Sequence, residues 1–274
     1  MSKRTLSISG TILAGLIAFT TVGIVPAVAP AAQAAKQAKP TIGEDASAAL
    51  LRMGQSLRAD QFSFQVRTIR VYSEVNGEPL HIFHTIKVTV HRPKGLLVEM
   101  SGDDGSNKLL FDGKTLVVFS PQEKKYVSIP IAEGTIEGML EEAVGKLGVD
   151  FPLADFLSEA PNKAFLTGVT AGRVVNTVTI DGAPYLHLFF AQPPGIELEL
   201  WLEKSDRSLP RRLIVTYRSL PGQPNFIAEF SDWNFDIHPS DADFVFQPPA
   251  DATQVQFKAA AAGAPPATPK GAKK

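Results

Sequence analysis

Apolar and polar residues alternate with a period of two through most of the chain, as in strands that bury one face and expose the other. Phe62, Phe64, Val66 and Thr68 share one face of such a strand, and Ser63, Gln65 and Arg67 occupy the other. Ile82, Ile86, Val88 and Val90 line the next, with Asn76-Gly77 as the hairpin turn between them. Leu96, Val98 and Met100 predict a third strand, followed by a polar loop from Ser101 to Asn107. Lys108 to Phe111, the two-residue turn Asp112-Gly113, Thr115 to Ser120, a charged turn, and Tyr126 to Ile129 continue a meander. Further strands are predicted at Asn176 to Ile180, Tyr185 to Phe190, Ile196 to Leu202, Arg211 to Arg218 and Phe226 to Phe235. Gly/Pro/Asn/Asp-rich breaks such as Asp181-Gly182-Ala183-Pro184 and Gln192-Pro193-Pro194-Gly195 divide them. Roughly nine to eleven strands, all joinable by tight turns, predict one large curved antiparallel sheet.

Helical spacing interrupts this rhythm twice. Ala48, Leu51, Met53 and Leu57 predict an opening helix that Asp45 or Ser47 can cap. Between Glu133 and Ala160, Thr135 can cap a helix carrying Ile136, Met139, Leu140, Ala143, Val144 and Leu147 at three-and-four spacing, and Gly148 can end it. Pro152 then opens a second helix bearing Leu153, Phe156 and Leu157. The fold class is therefore mainly β with a helical insert (α+β), the insert covering one sheet face with Gly134, Gly138, Gly145 and Gly148 as candidate hinges.

The ends of the chain lack both periods. Lys3 and Arg4 precede an apolar stretch from Ile12 to Val25, and Ala32-Gln33-Ala34 fits a small-residue cleavage site. This predicts a signal peptide over residues 1–35, cut near Ala34, and a periplasmic or secreted product; an uncleaved anchor is the alternative. A linker over 36–44, a single domain over 45–250 and a disordered Ala/Pro/Lys tail over 251–274 complete the organisation. With no cysteine, the chain has no disulfide, no thiolate metal site and no lipidated residue after the leader, so a packed core must hold it together. All 28 acidic residues lie within 41–256, whereas eight of the 27 basic ones lie outside that range. An acidic body argues against nucleic-acid binding and suits an exported soluble protein, expected to be a monomer.

Candidate chemistry is sparse. His81 and His84 are three apart on a strand and point to opposite faces, and His91, His187 and His238 are scattered, so no metal site is predicted. Asp103-Asp104 lacks the ligand spacing of a calcium loop. Glu197 and Glu199 share a strand face, where two carboxylates could do glycosidase-type work but more simply mark the solvent side. Arg211, Arg212 and Arg218 can pair with Glu197, Glu199 or Glu203 across a hairpin, or meet a lipid headgroup. No serine stands in a nucleophile elbow and no Gly-rich phosphate loop joins a strand to a helix. No cofactor and no enzymatic activity are expected.

Three stretches carry a resemblance: Ile196-Glu197-Leu198-Glu199-Leu200-Trp201-Leu202-Glu203, Leu209-Pro210-Arg211-Arg212-Leu213-Ile214-Val215-Thr216-Tyr217, and Ala228-Glu229-Phe230-Ser231-Asp232-Trp233-Asn234. With Asp112-Gly113-Lys114-Thr115-Leu116 and Asp243-Phe244-Val245-Phe246-Gln247-Pro248-Pro249, they resemble an uncharacterised bacterial family of predicted periplasmic proteins over most of Asp45 to Ala250. That family is in turn similar to the lipoprotein-carrier superfamily of LolA, LolB, LppX and the N-terminal part of RseB. The resemblance implies a half-open β-barrel closed by helices, with an apolar cavity for a lipid or lipoprotein acyl chain, or an envelope protein as partner in the manner of RseB. Phe64, Val66, Ile86, Val88, Val98, Phe119, Met139, Leu140, Phe156, Leu188, Phe190, Leu200 and Trp201 are the candidate cavity residues, and each would serve a solid core equally well. An envelope hydrolase is a third possibility, which needs convergent carboxylates or histidines in a polar cleft.

Overall fold

A computed structural model describes residues 41–73, 78–146 and 151–256. The expected signal peptide and its cut near Ala34, most of the linker, the Asn76-Gly77 turn, Leu147, Gly148 and the tail from residue 257 lie outside the described residues.

Among these residues, twelve strands form one sheet: β1 (Gln61–Ser73), β2 (Pro79–His91), β3 (Gly95–Gly102), β4 (Gly105–Phe111), β5 (Thr115–Ser120), β6 (Lys125–Pro130), β7 (Ala171–Ile180), β8 (Ala183–Gln192), β9 (Ile196–Glu203), β10 (Pro210–Tyr217), β11 (Asn225–Asn234) and β12 (Thr253–Gln254). Their spatial order is β12-β6-β5-β4-β3-β2-β1-β11-β10-β9-β8-β7. Every neighbouring pair is antiparallel except β12, which runs parallel to β6 just beyond the boundary expected at Ala250. The sheet stays open, with β12 and β7 at its two edges.

The route follows from local pairing. Strands β1 to β6 step outward in one direction by hairpins, as the alternation predicts. The chain then crosses to the far edge and steps back from β7 to β11, which closes against β1 with Val66 opposite Phe230 and Arg70 opposite Phe226. Two turns are tighter than the sequence suggests. Gly102 faces Gly105 directly, so Asp103-Asp104 alone makes the β3–β4 turn. Asp181 and Gly182, both with positive φ, alone make the β7–β8 turn, which puts Pro184 inside a strand. The Asp112-Gly113 turn is looser: Asp112 Oδ1 accepts from the backbone of Lys114 and Thr115 at 2.9 and 2.8 Å, and pairing resumes at Leu116 opposite Phe111.

The inner face is the buried one. Phe62, Phe64, Val66 and Thr68 of β1 and Ile82, Ile86, Val88 and Val90 of β2 are buried, as their alternation predicts. In β11 the residue Asp232 takes a positive φ of 54° where the β1–β11 register slips, and Trp233 packs with its ring 4.5 Å from that of Phe64. Helices lie over this face. The first, α1 (Glu44–Ser56), starts from Gly43 with no side-chain cap, so neither Asp45 nor Ser47 plays that part. It buries Ala46, Ala49, Leu50 and Met53, while Ala48 and Leu51 are exposed, a rotation of the expected stripe by about one position. Thr135 does cap α2 (Ile136–Leu140), accepting from Gly138 N at 3.1 Å, and the helix widens into a π-helical stretch over Glu141–Lys146. Next come α3 (Ala154–Leu157) and α4 (Pro161–Phe165), where the helix-opening proline is Pro161 rather than Pro152.

Between β6 and β7 these three helices carry the chain across the whole inner face. Ile131 N donates to Lys114 O near one edge, Ile136 N reaches Pro93 O, and the Phe156 ring lies 5.3 Å from Phe230 near the middle. The Phe165 ring then stands 5.4 Å from Phe190 near the other edge. Arg92 pins the layers together, its Nη2 donating to Leu57 O and Ser158 O at 3.0 and 3.1 Å; burial lowers the pKa of its guanidinium. Outside the sheet, the segment after β11 lays Phe244 and Phe246 over the outer face of β3 to β6.

Candidate ligand-binding cavity

A cavity of about 420 Å³ remains between the inner face of β1 to β5 and the crossover helices, within the ~300–1,000 Å³ usual for small-molecule sites. Strand register builds its floor. Ile86, Met100 and Asn107 stand opposite one another on β2, β3 and β4, and Val98, Leu109 and Val118 form the adjacent row on β3, β4 and β5. Met139, Leu140, Ala143 and Val144 roof it, and Phe151, Pro152, Leu153 and Phe226 complete the walls. The lining is mainly apolar because each floor residue occupies an inward position of its strand.

Polar groups gather toward one end. Thr68, Arg70 and Tyr72 extend the inward face of β1 past Val66, and His84 sits opposite Thr68 on β2. His84 Nε2 lies 2.6 Å from Asp104 Oδ1, with His84 nearly buried and Asp104 partly exposed. The β3–β4 turn holds Asp104 there: Phe83 N donates to Asp103 Oδ2 at 3.0 Å and Asp103 N to Phe83 O at 3.1 Å. Gly102 permits this approach, since a Cβ there would fall 2.2 Å from Phe83 O and 2.4 Å from the His84 ring. The Arg70 guanidinium lies 5.4 Å over the Phe226 ring, so its stem and plane form part of the wall. Such a chamber can hold a chain-like apolar group and offer donors and acceptors to a polar end.

Of the candidates read from sequence, Ile86, Val98, Met139 and Leu140 line this cavity. Phe64, Val66, Val88, Phe156, Leu188, Phe190 and Leu200 are buried in the continuous core around and beyond it. Phe119 and Trp201 lie on the outer face instead. Phe119 neighbours the cavity-lining Val118 and so points the other way, its ring 5.2 Å from Phe246. Trp201, between the inward Leu200 and Leu202, stacks on His187 at 4.1 Å and 7° with the Arg212 guanidinium 5.4 Å from its ring. On the same face Glu199 bonds His187 at 2.8 Å, Glu197 pairs with Arg218 at 3.6 Å, Arg211 with Asp181 at 3.0 Å and Arg212 with Glu229 at 2.9 Å. Glu199, Glu197, Arg218, Arg211 and Asp181 knit the solvent face, whereas Arg212 and Glu229 border a shallow pocket of about 600 Å³ that Arg67, His84 and Asp103 also line. Among the described residues, no cluster of three or more His, Asp or Glu side chains could hold a metal ion.

The polar end was missed because those residues are polar. The signal was available in the strand parity: Arg70 and Tyr72 share the face of Phe62, Phe64 and Val66, and His84 shares that of Ile82 and Ile86. A polar residue at an inward position needs a hydrogen-bond partner there, as His84 has in Asp104.

The model of the family described as "Predicted periplasmic protein (DUF2092)" matches residues 46–258. No curated protein matches the chain. Among solved structures, the chain is similar to an uncharacterized conserved protein from Thermus thermophilus, at 13% identity over 78% of this chain and 100% of that one, with a TM-score of 0.48. It is also similar to a LolA superfamily protein from Nitrosomonas europaea (14% identity, 73% and 97% of the chains, TM-score 0.38). A third is lipoprotein LppX of Mycobacterium tuberculosis (16% identity, 72% and 99%, TM-score 0.42).

Proposed function

The chain belongs to the DUF2092 family of predicted periplasmic proteins, and we propose that it serves there as a non-enzymatic binding protein holding an acyl chain or other apolar ligand between its sheet and its helical crossover. The observation that carries this reading is the cavity itself, about 420 Å³ with aliphatic floor and roof and polar groups at one end. The pocket leaves a largely apolar lining to water, and a ligand's chain would remove that surface from water. An amphiphile fits the asymmetry, its chain along Val98, Leu109 and Val118 and its head toward His84 and Asn107.

Delipidated protein should gain about 5–10 °C in melting temperature with a fatty acid or phospholipid at a hundred times its Kd, and native mass spectrometry of undelipidated protein should show bound lipid. Ala143 is 3% exposed in the roof, and Ala143→Trp should fill the cavity and abolish the ligand-induced shift without unfolding the protein. No thermal gain with any lipid, together with no copurified lipid, sinks the proposal.

A further inference from the structure

The two edges of the sheet are finished differently. Along β6, Lys125, Pro130 and the short parallel strand β12 cover the outer edge. Along β7, the neighbour among the described residues is a single bridge near its start, where Gly43 N donates to Gly172 O at 2.9 Å and Gly172 N to Thr41 O at 3.2 Å. Beyond it the run Val174-Val175-Asn176-Thr177-Val178-Thr179-Ile180 carries no charge and no proline, and six of its seven residues are β-branched, a sequence that favours further strand pairing. A register shift sits between Val174 and Asn176, and the five residues from Asn176 to Ile180 pair regularly with β8.

Hairpin geometry fixes which backbone groups face outward. Asp181-Gly182 is a two-residue turn that sets Ile180 opposite Ala183, and such a flanking pair exchanges both of its hydrogen bonds, with bonded and non-bonded pairs alternating from there. Ile180, Val178 and Asn176 therefore bond β8, while Thr177 and Thr179 turn their N–H and C=O groups to the open edge. Pro184, which has no N–H, stands opposite Thr179, where this alternation requires none.

We propose that β7 is a self-association edge: two copies pair antiparallel about a two-fold axis at Val178, with Thr177 of each facing Thr179 of the other. The run is its own complement, as a two-fold interface requires. The charges that flank it select the orientation. Arg173 lies at one end and Asp181 at the other, so antiparallel pairing brings opposite charges near each other, whereas parallel pairing sets like against like. Both threonine side chains are exposed, leaving the seam free of steric obstruction on that face. The short seam makes a weak, concentration-dependent dimer, independent of what the cavity holds.

Sedimentation velocity across a rising concentration series should show a monomer–dimer equilibrium, and amide hydrogen exchange at Thr177 and Thr179 should slow as concentration rises. The double variant Thr177→Lys/Thr179→Lys sets lysine opposite lysine twice and should weaken the dimer by at least about tenfold, with the melting temperature of the dilute protein unchanged. A parent that stays monomeric throughout overturns the proposal. So does a dimer whose Thr177 and Thr179 amides still exchange freely, or a lysine variant that associates as the parent does.

Discussion

Glycines in the crossover show how much a single position decides. At Gly138 an added Cβ would stand 2.4 Å from the Glu133 Cβ and 2.8 Å from its carbonyl oxygen, so the first turn of α2 closes only on a residue without a side chain. At Gly145 nothing lies within 4 Å of the same atom. Gly138→Ala should cost about 1–3 kcal/mol from overpacking, and Gly145→Ala should be neutral or stabilise by about 0.4–1 kcal/mol through the unfolded chain. Thermal denaturation of the pair checks this; equal melting temperatures would mean that Glu133 is not fixed. Both glycines read alike in the sequence, as hinges, because spacing says nothing about what stands beside a Cα. The same blindness misplaced Phe119 and Trp201. Each lies in an apolar run, Leu116 to Phe119 or Leu200 to Leu202, where both faces are covered and alternation falls silent.

At the scale of elements, strands were the most legible part, since one buried face imposes period two on the residues of β1, β2 and β3. Less legible was β12. Nothing in Thr253-Gln254 marks a strand, and its place depends on a partner more than a hundred residues earlier. Backbone bonds flanking the β12–β6 ladder include Thr253 N to Lys124 O at 2.8 Å and Val255 N to Tyr126 O at 2.9 Å, beside the Lys124–Asp251 ion pair. Hydrogen bonding to Lys124 holds the Asp251 carboxyl below its ordinary pKa, and the same bond raises that of Lys124. An acid whose folded pKa is depressed contributes stability above its unfolded value and loses it as pH falls through the folded one. Docking of β12 should therefore be intact at neutral pH and weaken below about pH 4, and Asp251→Asn should weaken it at neutral pH and remove its dependence on acid. Hydrogen exchange at the Thr253 and Val255 amides reads this directly. Protection that ignores both pH and the substitution would assign the docking to Phe244 and Phe246 instead.

On the scale of the whole molecule, the sheet is two consecutive meanders joined at β1 and β11, and the crossover from β6 to β7 is the chain's return path between opposite edges. Ten strand spacings of ~4.8 Å separate those edges along the sheet, so the connecting helices have to traverse the inner face and cover it. Their covering role was readable from their amphipathic spacing; the reason for it was not, because the β1–β11 closure leaves no local mark in either strand. The crossover is fastened near both edges, by Ile131 N to Lys114 O and by the Phe165–Phe190 ring contact. The same route makes the polypeptide divisible. A cut in the crossover between Lys146 and Phe151 leaves two fragments, each with a complete run of hairpins, that share the β1–β11 ladder and the aromatic contacts of Phe64 with Phe230 and Trp233. Coexpressed as separate chains, they should reassemble into one cooperative unit, copurifying on a tag carried by either and melting in a single transition. Fragments that fold but do not find each other would show that continuity of the chain, rather than the central ladder, holds the halves together.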